Sequence, residues 1–350
     1  MVLVLTFLGL VVVAGASAPQ ALFNFNDKFY FLKQQAVWAG IGILLFFVTS
    51  KIKYTFWEKL ATPLFFTVLA LLVIVLIPGL SYKALGARRW IDLGFFSFQP
   101  SEVIKLALAI YFAKLAKGLK TPISYFLPLG VVVGLIMLQP DLGTTLIVSV
   151  IALSQIFVSG INIFHFLGAL IVGALGTAGL ILISPYRKDR VLTFFEATAD
   201  PLGKGYHIRQ ILLALGSGGI FGVGVGASRQ KYLFLPEAAT DSIFAIIAEE
   251  LGFIGSVVLI FLFAFFLYKG FRIARGAPDR FSQALAFGIT VWVGGQASLN
   301  IASMVALTPL TGIPLPFFSY GGSSLVMVLT ACGILLNISS YETKKIASRR

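Results

Sequence analysis

Charge is scarce in this 350-residue chain: Asp, Glu, Lys and Arg together make up 12% of it, about half the share usual in a soluble domain. With 58% hydrophobic residues beside so few charges, the chain cannot clothe a water-facing globule. Cysteine occurs once, as Cys332 inside an apolar run, which excludes an intrachain disulfide and reads as packing. Only two histidines are present, His165 and His207, and neither has a partner at metal-ligand spacing, so no zinc site is indicated. Acidic residues number 14 against 27 basic ones, a formal net charge of +13.

What the chain has instead is apolar length. Its mean hydropathy is +0.94, and it contains 33 phenylalanines. Apolar runs of roughly 17 to 25 residues, each able to cross ~30 Å of hydrocarbon, account for most of it. They predict an all-α polytopic membrane protein with about ten transmembrane helices, near residues 2–18, 36–50, 62–78, 101–117, 123–139, 142–159, 163–183, 241–268, 281–307 and 323–338. The first run is followed by Ala16-Ser17-Ala18, which resembles a cleavage site, but no basic region precedes it; it reads as an uncleaved span. Residues 1–350 are expected to form a single integral membrane domain, with extracytoplasmic loops at about 79–100, 184–240 and 308–322.

Charge placement orients the spans. With both termini cytoplasmic, the inner segments hold Lys51, Lys53 and Lys59, then Lys114, Lys117 and Lys120, then Lys269, Arg272, Arg275 and Arg280, and finally Lys344, Lys345, Arg349 and Arg350. Those 14 basic residues meet only Glu58, Asp279 and Glu342, as the positive-inside rule requires. A basic inner rim sets topology and touches anionic lipid, so the net charge calls for no nucleic acid. The exceptions are more informative. Lys83, Arg88, Arg89, Lys105, Arg187, Lys188, Arg190, Lys204, Arg209, Arg229 and Lys231 lie on the outer side, where they suit a polyanion such as a phosphate-bearing lipid. In the large loop, the apolar stretch after Arg209 and Gln210 reads as a short amphipathic helix at the outer leaflet.

Several constellations are candidates for chemistry. Arg88 and Arg89 supply fixed positive charge and Trp90 a flat amphipathic ring, although an interfacial Trp with snorkelling arginines is an equally good reading. Glu102 and Lys105, three apart behind Pro100, share one helix face near the outer end of span four. They form either a structural ion pair or a pair facing a pathway. Asp241 follows Thr240, a candidate N-cap, and stands where loop becomes apolar helix. A helix N-terminus favours the ionised carboxylate, which suits a general base, but an acidic first turn with no chemistry fits as well.

Glu249 and Glu250 lie deeper, where they can pair with Lys105 or another cation, accept structural hydrogen bonds, or join a proton path. The glycines at 216, 218, 219, 222, 224 and 226 lack both the GK[ST] ending of a P-loop and a strand-helix context, so close packing or loop flexibility is the better reading. Pro309, Pro314 and Pro316 ahead of Ser319, Tyr320, Gly321 and Gly322 mark irregular backbone at membrane depth, or a rigid hairpin.

The segments GARRWIDLG, FQPSEVIKLAL, QPDLGTT, ADPLGKGYHIRQ, LPEAATDSIFAIIAEELGFIG and LPFFSYGGSSL, in this order, resemble the SEDS family of bacterial cell-wall synthesis, which includes FtsW, RodA and SpoVE. DKFYFLKQQ and PLTGIPLPFFSYGGSSL look more like the division branch, FtsW, than the elongation branch, RodA. The resemblance implies a ten-span peptidoglycan glycosyltransferase that polymerises lipid II into glycan strands outside the cytoplasmic membrane. It further implies a class B penicillin-binding protein and other divisome or elongasome membrane proteins as partners. By motif position, Asp241 corresponds to the family's essential carboxylate. Arg89 and Trp90 fall in its first external loop motif, Glu102 and Lys105 in its QPSE helix, and Gln210 in its GYHIRQ motif. Ser242 departs from the aromatic residue expected after that aspartate, which puts local packing in question.

Direct displacement at a lipid diphosphate donor needs cations for the leaving group, for which Arg88, Arg89, Lys105 and Arg209 are candidates. No ligand motif indicates a metal or other cofactor, and a divalent cation at the diphosphate stays open. Two rival classes remain at this point. One is a transporter of lipid-linked precursor, supported by Glu249, Glu250 and the broken backbone near Pro314. The other is a noncatalytic scaffold of the wall-synthesis complex, for which Asp241 would be dispensable.

Overall fold

The computed structural model describes residues 1–79, 81–84, 87–92, 94, 97–118, 121–183, 194 and 205–347. Among these residues lie eleven helices: α1 (Val2–Phe25), α2 (Tyr30–Lys51), α3 (Tyr54–Ile74), α4 (Pro100–Lys117), α5 (Pro122–Leu138), α6 (Leu142–Val158), α7 (Ile163–Ile183), α8 (Tyr206–Gly218), α9 (Ile243–Gly276), α10 (Arg280–Met304) and α11 (Gly322–Ala347). Each of the ten expected spans has its helix, and α8 is the amphipathic helix expected after Arg209 and Gln210, beginning earlier, at Tyr206, so that it carries both residues. Six helices, α1, α2, α3, α9, α10 and the 322–341 part of α11, are long and apolar enough to cross a membrane; α5, α6 and the first part of α7 are shorter apolar helices. Lys120, Arg187, Lys188, Arg190, Lys204, Arg349 and Arg350 lie outside the described residues.

Two features differ from the all-helical expectation. The segment between α3 and α4 carries three short antiparallel strands, β1 (Tyr82–Ala84), β2 (Ala87–Asp92) and β3 (Ser97–Phe98), in the order β1-β2-β3. Such strands are too short to leave a period in the sequence. Helix α9 starts at Ile243 rather than Asp241, and it is interrupted at Gly252, whose φ of 67° and ψ of −165° are not helical.

The chain divides into two compact units. The first comprises residues 1–40, 170–265 and 296–322; the second comprises 41–169, 266–295 and 323–350. All five passages from one to the other fall inside a helix, namely α2, α7, α9, α10 and α11.

In the second unit α4 is the most enclosed element. Pro100 sits in its first turn, where its missing N–H costs nothing, and Glu102 and then Lys114 and Lys117 match the helix dipole at the two ends. Its charges are all engaged: Lys105 with Glu102, Lys114 with the Thr62 hydroxyl at 2.9 Å, and Lys117 with Glu58 at 2.8 Å. Those four charges keep α4 out of the set of apolar spans, although nearly every residue from Ser101 to Ala113 is buried. The Gln155 amide joins α6 to two other helices by donating to the carbonyls of Ala109 and Ala284 at 2.8 and 3.0 Å. Such amide bridges hold helices together where no hydrophobic force drives their association.

In the first unit the defining feature is the break in α9. An interrupted helix leaves backbone groups without partners, and these need satisfaction wherever water is excluded. Here the segment 219–224 supplies it. The N–H groups of Val223 and Gly224 donate to the carbonyls of Glu249 and Glu250 at 3.0 and 3.1 Å. In return, the N–H groups of Phe253 and Ile254 donate to Gly219 and Ile220 at 2.9 and 3.2 Å. Only glycines allow the approach: a Cβ on Gly222 would run into the Glu250 carbonyl, and one on Gly252 into the backbone of residues 220–222. Within the glycine-rich run, Gly218 and Gly222 are therefore packing positions against α9, whereas a Cβ at Gly216, Gly219 or Gly226 would meet open space.

Candidate active site

Asp241 lies in the first unit, in a series of turns over residues 230–242 that precedes α9. It is half-buried, while Ser242 and Ile243 beside it are fully buried. Thr240 is not the N-cap that its position suggests, because α9 begins at Ile243 and the residue before it is Ser242; the Thr240 hydroxyl donates to the Glu237 carboxylate at 2.7 Å. Pro236 ends no helix here, and Glu237 adopts a left-handed φ of 52°, so Glu237 and Asp241 do not share a helical face. The chain at Asp241 is instead held by other segments. The carbonyl of Ala239 accepts from Tyr320 N–H at 2.8 Å, that of Thr240 from the Ser319 hydroxyl at 2.6 Å, and that of Asp241 from the Asn300 amide at 2.8 Å.

The irregular stretch after α10 is itself fixed at several points. Asn300 and Gln296 donate to the carbonyls of Ile313 and Pro314 at 2.7 and 2.9 Å. The Gln35 amide on α2 donates to the Ser319 carbonyl and accepts from Gly321 N–H, both at 3.2 Å. Burial, with Tyr30 as a lesser contribution, pushes the Tyr320 phenol above its ordinary pKa. The prolines and glycines of 309–322 thus mark a braced loop, which is the rigid reading of that sequence.

Helix α8 belongs to the same unit and carries Arg209, exposed, and Gln210, half-buried. His207, one turn back, has its Nε2 2.8 Å from the Ser242 hydroxyl. The position where an aromatic side chain is expected therefore holds a hydrogen-bonded serine, and the bond ties α8 to the neighbour of Asp241.

Glu249 and Glu250 have other partners than Lys105. The Glu249 carboxylate accepts from the Ser228 hydroxyl and from the N–H groups of Arg229 and Gln230, at 3.0 and 3.4 Å for the latter two. Glu250 pairs with Lys231 at 2.9 Å, and the same ammonium donates to the Gly226 carbonyl at 2.6 Å. Both carboxylates thus anchor the loop 226–231 beside the helix break. A carboxylate that accepts several hydrogen bonds is well satisfied as an anion, which is the structural role left open by the sequence.

The second unit holds the remaining candidates. Lys105 and Glu102 form an ion pair at 2.7 Å with both side chains almost wholly buried, and the Lys105 ammonium sits 5.7 Å from the centre of the Trp292 ring. The second oxygen of Glu102 is buried with no hydrogen-bond partner. Arg88, Arg89 and Trp90 lie half-buried on β2. Arg89 donates from Nε and Nη2 to the carbonyls of Gln139 and Pro140 at 2.9 and 2.6 Å, which fixes β2 to the turn between α5 and α6. In the same turn Asp141 caps α6 by accepting from the Thr144 N–H and hydroxyl, both at 2.9 Å. Among the described residues no three His, Cys, Asp or Glu side chains gather at a metal-sized site.

Asn300, Ser319 and the His207–Ser242 pair are absent from the sequence-derived candidates. For Asn300 the signal is weak: an amide inside an apolar helix marks a hydrogen bond to another segment without saying which.

These elements define a polytopic helical membrane protein with a half-buried carboxylate at the head of a broken helix and a buried Glu–Lys pair on another helix. The chain belongs to the FtsW/RodA/SpoVE family, described as "Cell cycle protein", whose profile matches residues 1–344. Stage V sporulation protein E of Bacillus subtilis is 44% identical over 348 residues, covering 97% of this chain and 95% of that protein. The probable peptidoglycan glycosyltransferase FtsW of Geobacter sp. strain M18 is 40% identical over the same shares of the two chains. Among solved structures, a chain from work on the coordination of polymerization and crosslinking by a peptidoglycan synthase complex superposes with a TM-score of 0.77 at 30% identity, covering 97% of both chains. The rod shape determining protein RodA of Thermus thermophilus gives 0.71 at 30% identity, covering 97% of this chain and 94% of that one.

Proposed function

We propose that this protein is a peptidoglycan glycosyltransferase that polymerises lipid II at the outer face of the bacterial cytoplasmic membrane. Residues 1–350 act as one integral membrane domain with both termini cytoplasmic, and a class B penicillin-binding protein is its crosslinking partner. The reading of the site rests on one observation. Half-buried Asp241 stands ahead of α9 on a backbone whose carbonyls at 239, 240 and 241 are held by Tyr320, Ser319 and Asn300.

In the proposed reaction the Asp241 carboxylate takes the proton from the 4-hydroxyl of the acceptor sugar as that oxygen attacks the anomeric carbon of the donor. The bond from that carbon to the diphosphate oxygen breaks, and polyprenyl diphosphate leaves with the electron pair. An α-linked donor so yields a β-1,4 linkage. A diphosphate leaving group needs charge neutralisation more than protonation, so no second catalytic acid is required. Arg88, Arg89, Lys105 and Arg209 are the candidates for that neutralisation; Arg89 is bonded to the turn at 139–140, and Lys105 has its charge matched by Glu102. Trp90, Glu102 and Gln210 are assigned to substrate binding. The transporter reading loses its main support, because Glu249 and Glu250 are bonded to the loop 226–231.

The test is to supply labelled lipid II to the purified full chain with its penicillin-binding partner in detergent, where sidedness vanishes, and to compare wild type with Asp241→Asn. Glycan strands from wild type and none from the variant are expected. Equal polymer from both would overturn the assignment of Asp241.

A further inference from the structure

The side chain of Asp241 can act as a base only if it points the same way at every turnover, and the turn at 241 gives it no helical backbone to set that direction. The direction is set from elsewhere. Three consecutive carbonyls, at 239, 240 and 241, are each gripped by residues 300, 319 or 320. Of these grips the one on Asp241 itself comes from Asn300, a fully buried side chain inside α10. Its Nδ2 donates to two carbonyls, Asp241 at 2.8 Å and Ile313 at 2.7 Å. Because both partners accept only, the amide orientation follows from the bonding, and Oδ1 is left buried with no partner. A leucine of similar volume would fill this place without an unpaired oxygen, so packing alone does not account for an amide here.

We propose that Asn300 is a positioning residue: by holding the Asp241 carbonyl against the braced loop at Ile313, it sets where the carboxylate points. The inference rests on the reading of Asp241 as general base. With the Thr240 carbonyl held by Ser319, fixing the Asp241 carbonyl sets the peptide planes on both sides of Asp241 and, with them, its Cα–Cβ direction. A misplacement of about 1 Å at a reacting group costs on the order of a hundredfold in rate.

The decisive variant is Asn300→Asp, which keeps the shape but, when ionised, donates to neither carbonyl. In the lipid II polymerisation assay it should lose about a hundredfold in kcat, with KM for lipid II nearly unchanged. Protonation restores one O–H donor, so its kcat relative to wild type should climb as pH falls. Asn300→Leu should show the loss without that climb. Asn300→Ser, which keeps one donor, should be intermediate and carries the same kcat-against-KM reading if the aspartate variant does not fold.

Wild-type kcat in the aspartate variant, or a deficit that matches leucine at every pH, would overturn the proposal in favour of a packing role. Asp241→Asn run in parallel separates the two layers. An inactive Asp241→Asn beside an unimpaired Asn300→Asp sinks the positioning role alone, whereas an active Asp241→Asn sinks the general base and the positioning role together.

Discussion

Substituting Gly222 by alanine tests the account of the broken helix. The added Cβ meets the carbonyl of Glu250, so segment 219–224 must withdraw, and the bonds from Val223 and Gly224 to the carbonyls of Glu249 and Glu250 go with it. Each buried carbonyl left without a donor costs about 1 to 3 kcal/mol. The left-handed φ of 81° adds about 1 to 2 kcal/mol for a residue with a Cβ. The expected loss is therefore about 3 to 8 kcal/mol. Gly226→Ala is the matched control, because its φ of 80° is the same but a Cβ there meets open space; only the strain of about 1 to 2 kcal/mol applies. The chain carries its own reporter in Cys332, a single buried thiol, whose reaction with a fluorogenic maleimide during heating marks unfolding. Gly222→Ala should melt well below Gly226→Ala. If the two melt within a degree of each other, the exchange between 219–224 and 249–254 does not hold the break together.

Two further outcomes follow from the buried polar groups. Glu102→Gln removes the counter-charge of the Lys105 ammonium in an enclosed site and should destabilise by about 3 to 5 kcal/mol, whereas Glu102→Leu combined with Lys105→Met should recover much of that stability in the same melt while lipid II polymerisation stays low. Ser242→Phe, which installs the aromatic residue expected there, overfills a fully buried position and breaks the bond to His207, costing about 1 to 3 kcal/mol; adding His207→Ala should return the melting temperature toward wild type, and no recovery in the double variant would show that the two side chains do not share one space.

The helices were readable from their apolar runs, although only six are long and apolar enough to cross a membrane by length and composition, and the Glu102–Lys105 pair was readable because both ends sit on one helix face, where spacing is geometry. The same logic fails wherever the partner is distant in sequence. Glu249 finds Ser228, 21 residues back, and Asp241 is held by Asn300, 59 residues ahead. Neither separation is a period of any secondary structure. Thr240 has the chemistry of a cap, but the backbone N–H groups of Thr240 and Ser242 both turn back to the Glu237 carbonyl, so the chain is still in a turn there and α9 starts at Ile243. The interruption at Gly252 was invisible for a related reason: a glycine in an apolar helix is unremarkable until its neighbour at Gly222 is known.

The exchange at Gly252 also acts as an indexing stop. In a continuous helix every residue added or removed turns all that follows by about 100°. At Gly252 the backbone leaves the helical path, and the register on either side is set by pairing with 219–224 rather than by counting. Residues before and after the stop therefore do not share a wheel, and a helical projection drawn through all of α9 would assign false neighbours to Glu249 and Glu250. Lengthening or shortening α9 beyond Gly252 should therefore leave the bearing of Asp241 unchanged while turning the buried face that carries Leu259, Phe263 and Phe266.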